Sequence, residues 1–130
     1  MTDALGSRVL DGGCHCRRVR FEATFRGPLR ALDCDCSICA ATAYLHLIVD
    51  EPDFRLMSGS DALTGYRFNT ATALHLFCRY CGIKSFYRPR SHPHGFSINA
   101  RCLDAGANVV DHIVPFEGRN WEQAIGRLPD

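Results

Sequence analysis

Seven of the eight cysteines fall in three short clusters, and their spacing constrains this chain more than any other feature. Cys14-His15-Cys16 is a C-x-C, and Cys34-Asp35-Cys36-Ser37-Ile38-Cys39 is a C-x-C-x-x-C. Cys78-Arg79-Tyr80-Cys81-Gly82 is a C-x-x-C-G. Tight turns of this kind aim two or three thiolates at one ion, and Zn²⁺ takes four ligands at tetrahedral corners. The first residues, Met1 to Arg8, carry neither an apolar segment nor a basic leader. A signal peptide is therefore not expected, and the expected compartment is the cytoplasm. Thiols stay reduced there, which favours metal or redox chemistry over a disulfide framework.

Ligand arithmetic then groups the clusters. Cys14 and Cys16 with Cys78 and Cys81 complete an S₄ set that joins the start of the chain to its middle. A closed S₄ set reads as structural. Cys34, Cys36 and Cys39 supply three ligands and leave one position open, which is the arrangement of catalytic zinc. Two zinc ions per chain are expected. Buried structural or redox thiols and an iron–sulfur cluster are the competing readings. The segment after Cys81 reads as strand, whereas a thioredoxin-type C-x-x-C opens a helix. Gly82 suits a zinc knuckle, whose residue after the second Cys turns with φ > 0. Cys102 has three open fates: fourth ligand of the second site, buried free thiol, or reactive thiol.

The chain has 130 residues, one domain's worth, with 46% apolar and 22% charged residues. We read residues 1–130 as a single zinc-binding domain, with no linker or repeat. No apolar run reaches the ~20 residues of a membrane helix, so no membrane partner is expected. The basic residues are 14 Arg and one Lys, Lys84, balanced to a net charge of +1. No block of like charge occurs, and seven thiolates with two Zn²⁺ would take the net charge to −2. No nucleic-acid partner is expected.

Val19 to Phe25 alternates apolar and polar residues, as a half-buried strand does. Further strands are read at Tyr44–Val49, Phe54–Met57, Leu63–Phe68, Ala73–Phe77, Ile83–Tyr87, Phe96–Asn99 and Ile113–Phe116. One helical turn is expected at Ser37–Thr42, and a C-terminal helix from Trp121 to Leu128 capped by Asn120. The expected class is all-β with little helix. His46 and His75, lying inside strand runs, are read as ordinary hydrogen-bonded histidines.

Gly12-Gly13-Cys14-His15-Cys16, the Cys34 and Cys78 clusters and Arg101-Cys102-Leu103-Asp104 together resemble the glutathione-dependent formaldehyde-activating enzyme family, which includes centromere protein V. Tyr66 to Thr70 and Lys84 to Ser91 look like the centromere-protein-V-like branch. The resemblance spans roughly residues 10 to 122. It implies an Mss4-like all-β fold of short antiparallel strands stapled by two zinc sites. The structural site would be Cys14, Cys16, Cys78 and Cys81, and the active site Cys34, Cys36 and Cys39. The implied activity adds formaldehyde to glutathione, giving S-(hydroxymethyl)glutathione, and is classed as a carbon–sulfur lyase. A non-catalytic zinc-folded binding module is the alternative. There are two departures from the family pattern: Arg17 stands where many members carry Gly, and Ala40 and Ala41 where many carry basic residues. Arg90, Asn99 and Arg101 are the substrate-binding candidates, and no general base is identified.

Overall fold

The alternation in Arg20–Arg26 organises the first sheet, because its apolar positions all face one side. Phe21, Ala23 and Phe25 are buried while their neighbours are not. The computed structural model describes residues 7–67, 74–89 and 92–116. In it, β1 (Ser7–Gly13) pairs antiparallel with β2 (Arg20–Arg26), from Ser7 opposite Arg26 to Gly13 opposite Arg20. The turn between them carries Cys14 and Cys16. After β3 (Arg30–Cys34), α1 (Ser37–Thr42) and β4 (Leu45–Asp50), strand β5 (Phe54–Ser58) completes this sheet on the other side of β2.

A second sheet holds five strands. β6 (Leu63–Tyr66) and β7 (His75–Cys78) form a separate hairpin ladder, and β8 (Phe86–Tyr87), β9 (Gly95–Asn99) and β10 (His112–Phe116) come after them in the chain. The five-stranded order is β10-β3-β4-β9-β8. All its pairs are antiparallel except β10 with β3, which run parallel with Phe116 opposite Cys34. The all-β expectation holds, with α1 the one α-helix among the described residues.

Aromatic rings join the two sheets. Phe54 of β5 stacks on Phe21 of β2 at 5.6 Å and on Phe96 of β9 at 4.3 Å, and lies 4.7 Å from Phe86 of β8. Buried aliphatics, including Val19 just before β2, Leu47 of β4 and Ile98 of β9, belong to the same core cluster. Each such side chain contributes roughly 1.5–3 kcal/mol by leaving water.

The strand reading at Ile83–Tyr87 is shortened to Phe86–Tyr87. The cause is local: the Asn99 side chain donates to the Lys84 carbonyl at 3.2 Å, and the Asn99 amide donates to the Ser85 carbonyl at 2.9 Å. These bonds satisfy the irregular segment without a full ladder. The strand read at Leu63–Phe68 ends at Tyr66, with Arg67 already outside the ladder, and the next begins at His75. Phe68 and Ala73, the C-terminal helix with its Asn120 cap, and Arg90 lie outside the described residues. No helix among the described residues is long and apolar enough to cross a membrane.

Gly59 locks β5 against the cysteine-bearing turn. Its φ is +91°, and a Cβ there would lie 2.3 Å from the Arg18 carbonyl oxygen. Gly59→Ala should therefore combine left-handed strain with a backbone clash and cost about 2 kcal/mol or more. Thermal melts should show a drop of several degrees, and an unchanged midpoint would contradict this packing.

Candidate functional site

Three loops and one helix bring the cysteines together in two groups. In the first, the ligand atoms of Cys14, Cys16, Cys78 and Cys81 all lie within 4.8 Å of one another. Cys14 and Cys78 are buried, and Cys16 and Cys81 are half-buried. The Cys14–Cys16 and Cys16–Cys78 sulfur separations are both 3.6 Å. A disulfide needs about 2.05 Å. A tetrahedral zinc with Zn–S near 2.3 Å has an S–S edge of about 3.8 Å, so the donor set fits zinc. The backbone supports it. The Val19 amide donates to Cys14 Sγ at 3.3 Å, and the Gly82 amide donates to the Cys78 carbonyl at 2.8 Å. Gly82 turns with φ +77°, as the knuckle expectation requires. Arg17 adopts φ +69°, so this turn takes the left-handed conformation that favours glycine with an arginine in it. The neighbouring Arg18 guanidinium bonds Cys16 and lies 4.2 Å from the Tyr80 ring centre, a cation beside a thiolate-rich group.

The second group is Cys34, Cys36 and Cys39, again within 4.8 Å of one another. Cys34 ends β3, Cys36 is the N-cap of α1, and Cys39 lies one turn into that helix. The Ala40 amide bonds the Cys36 carbonyl at 2.9 Å, and Ala43 ends the helix at φ 52°. Three converging thiols fit a zinc site with one position left over. Cys102, offered from sequence as a possible fourth ligand, is not placed in this group. Its thiol instead points to the Lys84 carbonyl at 3.9 Å, and burial pushes it up to about 11. The short turn Ala100–Cys102 after β9 directs it there.

Cross-strand register adds a buried polar cluster that sequence spacing does not reveal. His46 of β4 sits opposite Leu32 of β3 and Asn99 of β9, next to the strand that ends in Cys34. Its Nε2 is 3.0 Å from Cys39 Sγ, and its Nδ1 is 2.8 Å from Ser97 Oγ and 3.4 Å from Tyr87 Oη. Burial lowers the His46 pKa to about 3, so the ring is neutral. With Cys39 as a metal-held thiolate, which can only accept, Nε2 would carry the proton and Nδ1 would accept from the hydroxyls. His46 is thus hydrogen-bonded, as expected for a strand histidine, but its partner is a site thiol.

Lys84 Nζ lies 2.6 Å from His75 Nδ1, 3.8 Å from the Tyr87 ring centre and 4.8 Å from that of Tyr44. Burial, reinforced by Lys84, lowers His75 to about 4. Neutral His75 then accepts at Nδ1 from the ammonium. Tyr44 is fully buried and donates to the Ser97 carbonyl at 2.7 Å.

The substrate candidates separate. Asn99 is buried, and its side chain is committed to backbone, accepting from Leu45 and Arg101 amides and donating to the Lys84 carbonyl. Arg101 is exposed, and its Nε donates to the Ala43 carbonyl at 2.9 Å, at the end of the helix that carries Cys39.

A family model described as glutathione-dependent formaldehyde-activating enzyme matches residues 9–118. Among solved structures, the chain is similar to the crystal structure of a Rhodobacter sphaeroides protein. That protein is 34% identical, with a TM-score of 0.72, and the match covers 82% of this chain and 98% of that one.

Proposed function

Since this chain belongs to the glutathione-dependent formaldehyde-activating enzyme family, we propose that it is a zinc-dependent carbon–sulfur lyase-type enzyme that joins glutathione to formaldehyde at Cys34, Cys36 and Cys39. The observation that carries this reading is the three-thiol group itself, which the four-thiol group does not share. A zinc ion held by these thiols would supply a Lewis acid with one coordination position for substrate. In the overall change a sulfur–carbon bond forms, the carbonyl π electrons move to oxygen, and the thiol proton ends on that oxygen.

The protein's own groups divide the remaining work. His46 holds Cys39 by its Nε2–H and fixes the thiolate's direction. Arg101, anchored at Ala43, presents a guanidinium to one of the glutathione carboxylates, which Arg binds well through two parallel N–H groups. Arg90 is a second candidate for a carboxylate. Asn99 positions the segment around Lys84 rather than touching substrate.

Hemithioacetals also form without an enzyme, so the test compares rates. Exchange-detected NMR should show adduct formation or breakdown faster with the zinc protein than in its absence. Glutathione should also perturb the thiolate bands of a cobalt-substituted second site. Arg101→Gln should raise KM for glutathione roughly tenfold with kcat little changed, as for one lost hydrogen bond to a charged group. A rate equal to background together with silent cobalt bands would remove the enzymatic reading and leave the zinc-folded binding module.

A further inference from the structure

Lys84 is the one lysine of the chain and is only 7% exposed. A buried ammonium is costly unless an anion compensates it. No carboxylate forms a salt bridge with Lys84 among the described residues. Its neighbours are neutral His75 Nδ1 and the faces of Tyr87 and Tyr44. Those faces favour a cation but carry no net charge. As thiolates, Cys39, Cys36 and Cys34 favour the charged form of Lys84 and oppose the effect of burial. Contacts connect the two places: Lys84 lies on Tyr87, the Tyr87 hydroxyl reaches His46 Nδ1, and His46 Nε2 reaches Cys39 Sγ.

We propose that Lys84 is the buried counter-ion of the Cys34/Cys36/Cys39 centre and makes its fourth position selective for an anionic sulfur ligand. The inference deepens the proposed function and rests on that reading for its substrate, though not for its electrostatics. Three thiolates around a divalent ion carry one net negative charge, which opposes a fourth thiolate. The ammonium cancels that charge, so a thiolate enters a neutral centre. A neutral ligand such as imidazole gains little from the same cation. Burial holds the Lys84 pKa down to about 8, so the ammonium form still prevails at neutral pH. The S₄ group has a different cation beside it, Arg18.

The test uses the cobalt- or zinc-loaded protein with two probes, 2-mercaptoethanol and imidazole, so it does not depend on glutathione being the substrate. Lys84→Met should weaken 2-mercaptoethanol binding by on the order of tenfold to a hundredfold and leave imidazole binding nearly unchanged. It should also release the second-site ion to a chelator more readily, while the S₄ ion is retained. Lys84→Arg should stay near the parent in both measurements. Equal loss of both ligands means Lys84 only shapes the site, and this overturns the proposal. So does a parent-like Met variant. If neither ligand binds any form, chelator release alone decides, and equal release from parent and Met variant overturns it. Lys84→Gln serves as a second neutral variant should the Met chain not fold. Folding with Arg but with neither Met nor Gln supports a requirement for charge, and failure of all three overturns it. Loss of the glutathione reaction alongside the expected probe selectivity would sink the proposed function while leaving the counter-ion in place.

Discussion

Cys78→Ser is expected to leave the chain unfolded at ambient temperature, with no S₄ metal. Cys78 ends β7 and is 1% exposed, so serine there would lose a ligand and leave a buried hydroxyl beside three thiols. The larger loss is the connection. Cys14 and Cys16 come from the turn between β1 and β2, whereas Cys78 and Cys81 close the end of the β6–β7 ladder. A two-stranded ladder is marginal in water by itself. A structural zinc contributes on the order of 10 kcal/mol, comparable to the whole net stability of a small domain, about 5–15 kcal/mol. Circular dichroism should lose the native transition, and metal analysis should fall from two zinc ions to one or fewer. A cooperative melt within a few degrees of the parent would refute the structural assignment.

How legible each feature is in the sequence depends on how local it is. A C-x-C or C-x-x-C sets its sulfur separations within one turn, so each cysteine cluster, and the glycine conformation at Gly82, is legible from spacing, whereas the joining of Cys14 and Cys16 to Cys78 and Cys81 follows only from counting ligands. The alternation in Arg20–Arg26 depends only on the pleat, and it appears in the fold. β3 is not legible, because in Arg30–Cys34 the buried positions are Ala31 and Cys34, which do not share a period of two. β1 is hidden by its Asp11-Gly12-Gly13 end, which reads as a turn. The cluster of Tyr44, His46, Lys84, His75 and Tyr87 is assembled by pairing between distant strands, with His46 opposite Asn99 and Tyr87 opposite Ser97. No spacing rule reaches across that distance, so a site partner such as His46 looks like any strand histidine. Asn99 misleads for a related reason: an amide beside a site suggests substrate, yet here it replaces missing ladder bonds.

Cys36→Ser is expected to keep the fold and lose the second-site chemistry, the opposite pattern to Cys78→Ser. All three thiols of that group lie between Cys34 and Cys39, so metal there closes only a short local loop and removes little chain entropy. The surrounding strands are held by other means. β3 is paired on both sides, with β10 and β4, and the Asp35 amide donates to the Phe116 carbonyl at 3.1 Å. Cys36 itself is half-buried at the helix N-cap, where serine is a favourable residue. The melting midpoint should therefore stay within a few degrees of the parent. Loss of one of three ligands should release the second ion. Even partners of ligands cost 10- to 100-fold when removed, so a ligand should cost at least about a hundredfold in metal affinity and in any reaction of glutathione with formaldehyde. Zinc content near one per folded chain, with the S₄ ion retained, is the decisive reading. Unfolding equal to that of Cys78→Ser would show that both centres hold the fold, and the division between a structural and a functional zinc would fall.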